Sequence, residues 1–133
     1  MSVVRFGVSL EKNLLDGLDK FVKENHFSNR SQAIRQLIKK NVVANKWETN
    51  EMVAGAISLV YNHHKRDLLN KLADTQHNYH DVILSAQHFH LDHDNCLEII
   101  AVKGNSDKLT SLANSLIAIK GIQHGQLTMS SMD

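Results

Sequence analysis

The 133 residues contain no proline at all. A Pro-rich linker is therefore excluded. One cysteine is present, Cys96. It cannot close an internal disulfide, so the thiol is free or metal-bound, and the expected compartment is the reducing cytoplasm. No apolar run approaches the roughly 20 residues that span a bilayer, so no membrane segment is expected. The opening residues Met1-Ser2-Val3-Val4-Arg5 lack the basic-then-apolar layout of a signal peptide. Net charge is only +1 with histidine neutral. Any nucleic-acid binding must come from a local basic face. There is no internal repeat, no nucleophile elbow, no phosphate loop and no paired-carboxylate motif.

Histidine, in contrast, is dense. Five of the nine lie between His77 and His93, and Cys96 sits just beyond them. Imidazole and thiolate are the side chains that bind borderline transition metals. On a strand, His88-Phe89-His90 points both rings to one side.

The chain reads as two units. Residues 3–10 alternate, with Val4, Phe6, Val8 and Leu10 apolar and Arg5, Gly7 and Ser9 small or polar. This is a half-buried strand. Leu14, Leu15, Leu18, Phe21 and Val22 form a helical stripe over about 11–25. A second helix carries Ala33, Ile34, Leu37, Ile38 and Val42, with Ser28 or Asn29 as its N-cap. Such a strand-helix-helix unit, residues 1–46, cannot enclose a core or pair its strand alone. Two chains pairing their strands antiparallel solve both problems, so an obligate dimer is expected. Residues 47–53 read as a short linker, with Trp47 able to dock on a neighbouring surface. Residues 54–133 read strand (54–62), helix (64–78), strand (82–91), strand (96–103), helix (106–119), strand (122–129). The order βαββαβ predicts a ferredoxin-like sandwich, and the fold class is α+β.

Parity tests the metal constellation. A turn over 91–95 sets His90 opposite Cys96 and His88 opposite Glu98. His88, His90, Cys96 and Glu98 then share one sheet face. The odd positions Phe89, Leu91, Leu97, Ile99 and Ala101 are apolar and are expected under the two helices, leaving the histidines on the open face. His77, near the end of the preceding helix, would not reach that open face within its own chain. A facing subunit could donate it. Three imidazoles and one thiolate suit tetrahedral zinc or square-planar nickel or copper, and the residues alone do not choose. Glu98 is positioned to accept a ring N–H from a ligand imidazole. His63, His64 and His26 read as surface or turn residues, and His93 as solvated.

The first unit suits DNA. A two-stranded antiparallel ribbon fits the major groove and would present Arg5, Gly7 and Ser9 twice. Asn29 and Arg30, opening the second helix, offer backbone N–H groups and a guanidinium to a phosphate. Arg35 adds positive charge to the same unit.

These residues resemble the nickel-responsive transcriptional regulators, which join a ribbon-helix-helix domain to an ACT-like metal-binding domain. The resemblance rests on Arg5-Phe6-Gly7-Val8-Ser9-Leu10 and Asn29-Arg30-Ser31-Gln32-Ala33-Ile34-Arg35 in the first unit. In the second it rests on Tyr61-Asn62-His63, Thr75-Gln76-His77, His88-Phe89-His90, Asp94-Asn95-Cys96-Leu97-Glu98 and Val102-Lys103-Gly104. It implies Ni(II) held in a square plane by His88, His90 and Cys96 with His77 from a facing subunit. It implies a homotetramer, a dimer of dimers, acting on double-stranded palindromic operator DNA. It implies that nickel orders residues 63–80 and that Lys65 and Arg66 then reach DNA phosphates. The implied task is nickel-dependent control, chiefly repression, of nickel uptake genes. Two departures stand out. Amides occupy Gln32 and Gln36, where members often carry acidic residues that hold a second cation. Gly7 replaces a hydroxyl residue seen in some members, so the operator sequence is not carried over.

Two rival readings remain. A metal buffer or a copper or zinc sensor without sequence-specific DNA binding leaves the first unit unexplained. An enzyme is not expected, because four protein ligands close the coordination shell to water and substrate.

Overall fold

The computed structural model describes residues 2–133. It divides into two compact units, one up to Asn41 and the other Val42–Asp133.

In the first unit, residues 2–10 form no strand within a single chain. Their apolar side chains are exposed, with Phe6 at 75%. A lone strand has no partner to satisfy its backbone, so the expected strand has nothing to pair with here. Helix α1 spans Lys12–Glu24 and buries no residue. Helix α2 spans Arg30–Glu48. Asn29 caps it, its Oδ1 accepting the Gln32 N–H at 2.8 Å. Gln32 reaches back, its Oε1 accepting the Ser28 N–H at 2.7 Å. This reciprocal arrangement follows the logic of a capping box. Ala33 is the one fully buried side chain of this unit among the described residues.

Helix α2 runs further than its apolar periodicity suggests. It includes Lys46, Trp47 and Glu48, and only Thr49–Glu51 separate it from the next strand, in place of the linker expected over 47–53. Trp47 explains the extension. Its indole N–H donates to the Ser130 carbonyl at 3.0 Å, and its own carbonyl accepts the Ser106 hydroxyl at 2.5 Å. Gly55 leaves room for the ring, since a Cβ there would stand 3.3 Å from Trp47 Cζ2 and 2.6 Å from the Thr128 carbonyl oxygen.

The second unit follows the expected order. Strand β1 is Met52–Asn62, α3 is Arg66–Asn78, β2 is Ile83–His90, β3 is Asn95–Asn105, α4 is Ser106–Ile117 and β4 is Ile122–Ser130. A single 3₁₀ turn, His80–Val82, precedes β2. The antiparallel sheet has the order β2-β3-β1-β4. The core is built from Ile57, Leu59, Ile100 and Val102 of the sheet and Leu109, Leu112 and Leu116 of α4, all at zero exposure. Truncating any of these leucines to alanine costs about 2–5 kcal/mol.

The face assignment read from parity is reversed. Cys96, Glu98, Ile100 and Val102 are buried on the helix-covered face, while Phe89, Leu91 and Ile99 are exposed. The register explains it. Ile57 of β1 pairs with Ile100 and Tyr61 with Cys96, so the core face of β1 continues into the even positions of β3. Strand β3 is apolar on both faces in its centre, so β2 and β3 alone do not decide which face the helices cover.

Candidate metal centre

The edge hairpin positions the candidate ligands. His90 pairs with Cys96 and His88 with Glu98, the register expected from the sequence. Because side chains alternate along strands, all four lie on one face. The turn between the strands is held by Asp92, whose Oδ1 accepts the N–H groups of Asp94 at 2.9 Å and Asn95 at 2.7 Å. Leu91 N–H donates to the Asn95 carbonyl at 2.9 Å and closes the hairpin.

Cys96 is buried, and its Sγ lies 4.0 Å from His88 Nδ1. Two donors side by side on one ion stand roughly 3–3.5 Å apart, given ordinary metal–sulfur and metal–nitrogen lengths. A small ring rotation of exposed His88 closes the difference. The donor set therefore fits a thiolate- and imidazole-binding ion. His90 is on the same face, with its ring edge-on to His63 at 5.0 Å between centroids.

Behind these candidate ligands stands Glu98, 1% exposed. Tyr61 Oη donates to its Oε1 at 2.5 Å, and Gln76 Nε2 donates to its Oε2 at 2.7 Å. The buried carboxylate is thus satisfied on both oxygens. Burial first, then the Glu98 hydrogen bond, pushes the Tyr61 hydroxyl far above its ordinary range. His88 Nδ1 is 3.3 Å from Tyr61 Oη and 3.7 Å from Glu98 Oε1. Tyr61 therefore stands between the carboxylate and the imidazole, and direct acceptance of the ring N–H by Glu98 is not the arrangement found. Sequence reasoning assigned no role to Tyr61 or Gln76. The register could have found Tyr61, since it is the β1 partner of Cys96.

Helix α3 lies on the same side of the sheet as these ligands, since Gln76 touches Glu98. The open-face reason for excluding His77 within one chain therefore falls. Another reason takes its place. His77 is one residue past Gln76, about 100° further round the helix. It is exposed, and its ring stacks against His80 at 5.9 Å. Among the described residues, no group of three ligand atoms within 4.8 Å of one another includes His77, His88, His90 or Cys96. The structure joins His88 to Cys96, aligns His90 with them, and keeps His77 apart.

The residues read as DNA contacts are all exposed: Arg5, Gly7, Ser9, Asn29, Arg30, Arg35, Lys65 and Arg66. Arg30 is engaged by Asp19, with Nε–Oδ1 at 2.8 Å and Nη2–Oδ2 at 3.0 Å. This fork holds the Asp19 carboxyl below its usual range. Lys65 is the residue before α3, and Arg66 opens it.

Residues 54–130 match the family model described as the NikR C terminal nickel binding domain, more than half of the chain. Residues 4–43 match the ribbon-helix-helix protein, copG family. The chain belongs to the nickel-responsive regulator family. A relative from Syntrophus aciditrophicus, named as a nickel-responsive regulator, is 55% identical over 130 residues, covering 98% of this chain and 95% of its own. A relative of the same name from Pyrococcus furiosus is 46% identical over 132 residues, covering 98% and 96%. Among solved structures, an uncharacterized protein from Thermotoga maritima aligns with 59% of this chain and 98% of its own at a TM-score of 0.54. At 15% identity that likeness speaks to fold alone. Family membership accounts for both units: the first as ribbon-helix-helix, the second as the metal-binding domain. No helix of the described residues is long and apolar enough to cross a membrane.

Proposed function

We propose that this protein is a nickel-responsive transcriptional regulator that binds operator DNA when Ni(II) occupies a site built from His88, His90 and Cys96 of one chain and His77 of another. The observation that carries this reading is the placement of His88, His90 and Cys96 on one strand-hairpin face, next to a buried Glu98 that is hydrogen-bonded to α3. When bound, Ni(II) supplies a strong preference for thiolate and imidazole donors in fixed directions.

The chain's own residues turn occupancy into a conformational signal. Tyr61, itself bonded to Glu98, stands against His88 beside Cys96. Gln76 ties the C-terminal turn of α3 to β3. Lys65 and Arg66 lie at the other end of the same helix. Drawing His77 into a neighbouring subunit's ligand set fixes α3, and with it the two cations that face DNA phosphates. Regulation of this kind requires tighter metal binding in the DNA-competent arrangement than in the others.

The assembly is a homotetramer, two ribbon-helix-helix dimers joined through the second units. Exposed Val4, Phe6 and Val8 support the ribbon pairing, and exposed Phe89 and Ile99 support burial of the open sheet face by another copy. The ribbon presents Arg5, Gly7 and Ser9 to base edges, with Asn29, Arg30 and Arg35 around the phosphates. The ribbon-helix-helix domain opens the chain, the metal-binding domain is built on the sheet from β1 onward, and Thr49–Glu51 connect α2 to β1. The protein acts in the cytoplasm as a regulator and not as an enzyme, since DNA binding and nickel binding account for its two units.

The test is a DNA-binding titration with and without Ni(II), on a duplex selected in vitro with nickel-loaded protein. At least tenfold tighter binding with nickel is expected. Equal affinity in both conditions contradicts the reading.

A further inference from the structure

His77 lies in the last turn of α3, and residues 79–82 carry the chain from there to β2. This stretch folds on itself. Tyr79 N–H donates to the Gln76 carbonyl at 3.1 Å, and Val82 N–H donates to the Tyr79 carbonyl at 3.0 Å. His80 Nδ1 lies 3.0 Å from the His77 carbonyl oxygen. Val82, 6% exposed, seats the end of the stretch on the sheet. Gly104 makes room for it, since a Cβ there would stand 2.7 Å from Val82 Cγ1.

Helix α4 holds the same stretch from outside. Tyr79 Oη and Ser111 Oγ share a hydrogen bond of 2.7 Å. Lys108 Nζ donates to Asp81 Oδ2 and pairs with its charge. Lys108 and Ser111 are three residues apart on a helix and so are neighbours on one face. Both are exposed, while Leu109 and Leu112 between and beside them anchor α4 in the core. An exposed ion pair adds little to stability, so the fold does not depend on these contacts. What they constrain is how the turn after His77 lies on α4. On the inner side, Gln76 is tied to Glu98. The His77 backbone is thus bracketed on both sides, and its side chain stays exposed.

We propose that Lys108 and Ser111 are positioning residues for His77, holding residues 76–82 against α4 so that the ring is offered in one direction to another chain's ligands. The inference rests on the proposed function, in which His77 is donated across two chains. A ring carried on a loose stretch gives up more conformational freedom on binding than one carried on a held stretch. Holding the stretch therefore raises nickel affinity although neither residue touches the ion. The effect belongs to the donating chain alone. The side-chain bonds of Lys108 and Ser111 run to Asp81 and Tyr79, whereas His88, His90 and Cys96 stand on the β2–β3 hairpin.

The experiment puts the double change Lys108→Ala and Ser111→Ala on one kind of chain at a time. Full-length His77→Ala chains keep the trio, and full-length Cys96→Ala chains keep the donated ring. The two kinds are unfolded and refolded together, and the thiolate-to-nickel absorption is titrated with Ni(II). With the double change on the Cys96→Ala chains, the half-maximal band should need about tenfold more free nickel. With it on the His77→Ala chains, the midpoint should match that of the mixture lacking the change. Lys108→Arg with Ser111→Thr on the Cys96→Ala chains keeps the charge and the hydroxyl, and should bring the midpoint back. Circular dichroism confirms that every mixture is folded. A midpoint that moves equally for both placements, or for neither, overturns the proposal and leaves the proposed function standing. A mixture without the double change that gives no band overturns the two-chain site, and this inference with it.

Discussion

Tyr61 donates a hydrogen bond of 2.5 Å to the buried carboxylate of Glu98, one strand away. The contact also sets Tyr61 Oη 3.3 Å from His88 Nδ1. One phenol thus satisfies a carboxylate that has left water and borders an imidazole beside Cys96.

Tyr61→Phe removes that donor and keeps the ring. A buried acceptor left unpaired costs about 1–3 kcal/mol, more when it is charged. The variant should lose stability in that range in urea titration. Its Ni(II) affinity should fall about tenfold, as expected when a group orienting a ligand is removed. Unchanged affinity with lowered stability would show that Tyr61 serves the core and not the site.

The same pair predicts an alkaline dependence. The folded Tyr61 hydroxyl ionises well above its ordinary value, chiefly through burial. A group whose folded value is raised contributes its full stability below the unfolded value, about pH 10. That contribution declines as pH rises beyond it, because the unfolded chain then releases a proton that the folded chain keeps. Urea midpoints measured from pH 8 to 11 should fall above about pH 10 in the unmodified protein. The fall should be shallower in Tyr61→Phe, and parallel curves would refute the assignment.

Gln76→Ala cuts the contact between α3 and Glu98 while leaving every proposed ligand in place. Amide exchange in the last turns of α3 should quicken. Nickel affinity should drop by about 10-fold, the lower end of what such supporting contacts contribute. No change in either quantity would mean that α3 is held by Leu68 and Leu72 alone.

Asp19→Ala releases Arg30 from its fork. The pair is exposed, so stability should hardly move. If Arg30 reaches a phosphate, the variant should bind DNA more tightly. Its plot of log affinity against log salt should steepen by about 0.9, the slope for one added phosphate contact. An unaltered slope removes Arg30 from the DNA interface.

Much of the second unit was legible in the sequence. The βαββαβ order came from period and punctuation. The pairings His90–Cys96 and His88–Glu98 came from the hairpin length alone. What parity could not supply was which side the helices cover. Phe89, Leu97 and Ile99 compete with Ile100 and Val102 for the core, and only β1 settles the contest by placing Ile57 beside Ile100. The apolar residues left outside are those a second copy would bury. Trp47 was legible as a residue that docks, but not as part of a continuing helix, because its anchors at Ser106 and Ser130 are far along the chain. Gln76 and Tyr61 escaped notice as site residues for a similar reason. Their role depends on a carboxylate that looks like a surface residue until the sheet buries it.

The proposed two-chain site admits one direct measurement. His77→Ala lacks the donated ring, and Cys96→Ala lacks the thiolate, so neither variant alone should show the thiolate-to-nickel absorption band. Mixed, unfolded and refolded together, they form assemblies in which an intact trio of one chain meets His77 of another. The account predicts that the band returns in the mixture to a fraction of its full intensity. A mixture as featureless as its two components would contradict a site built across two chains.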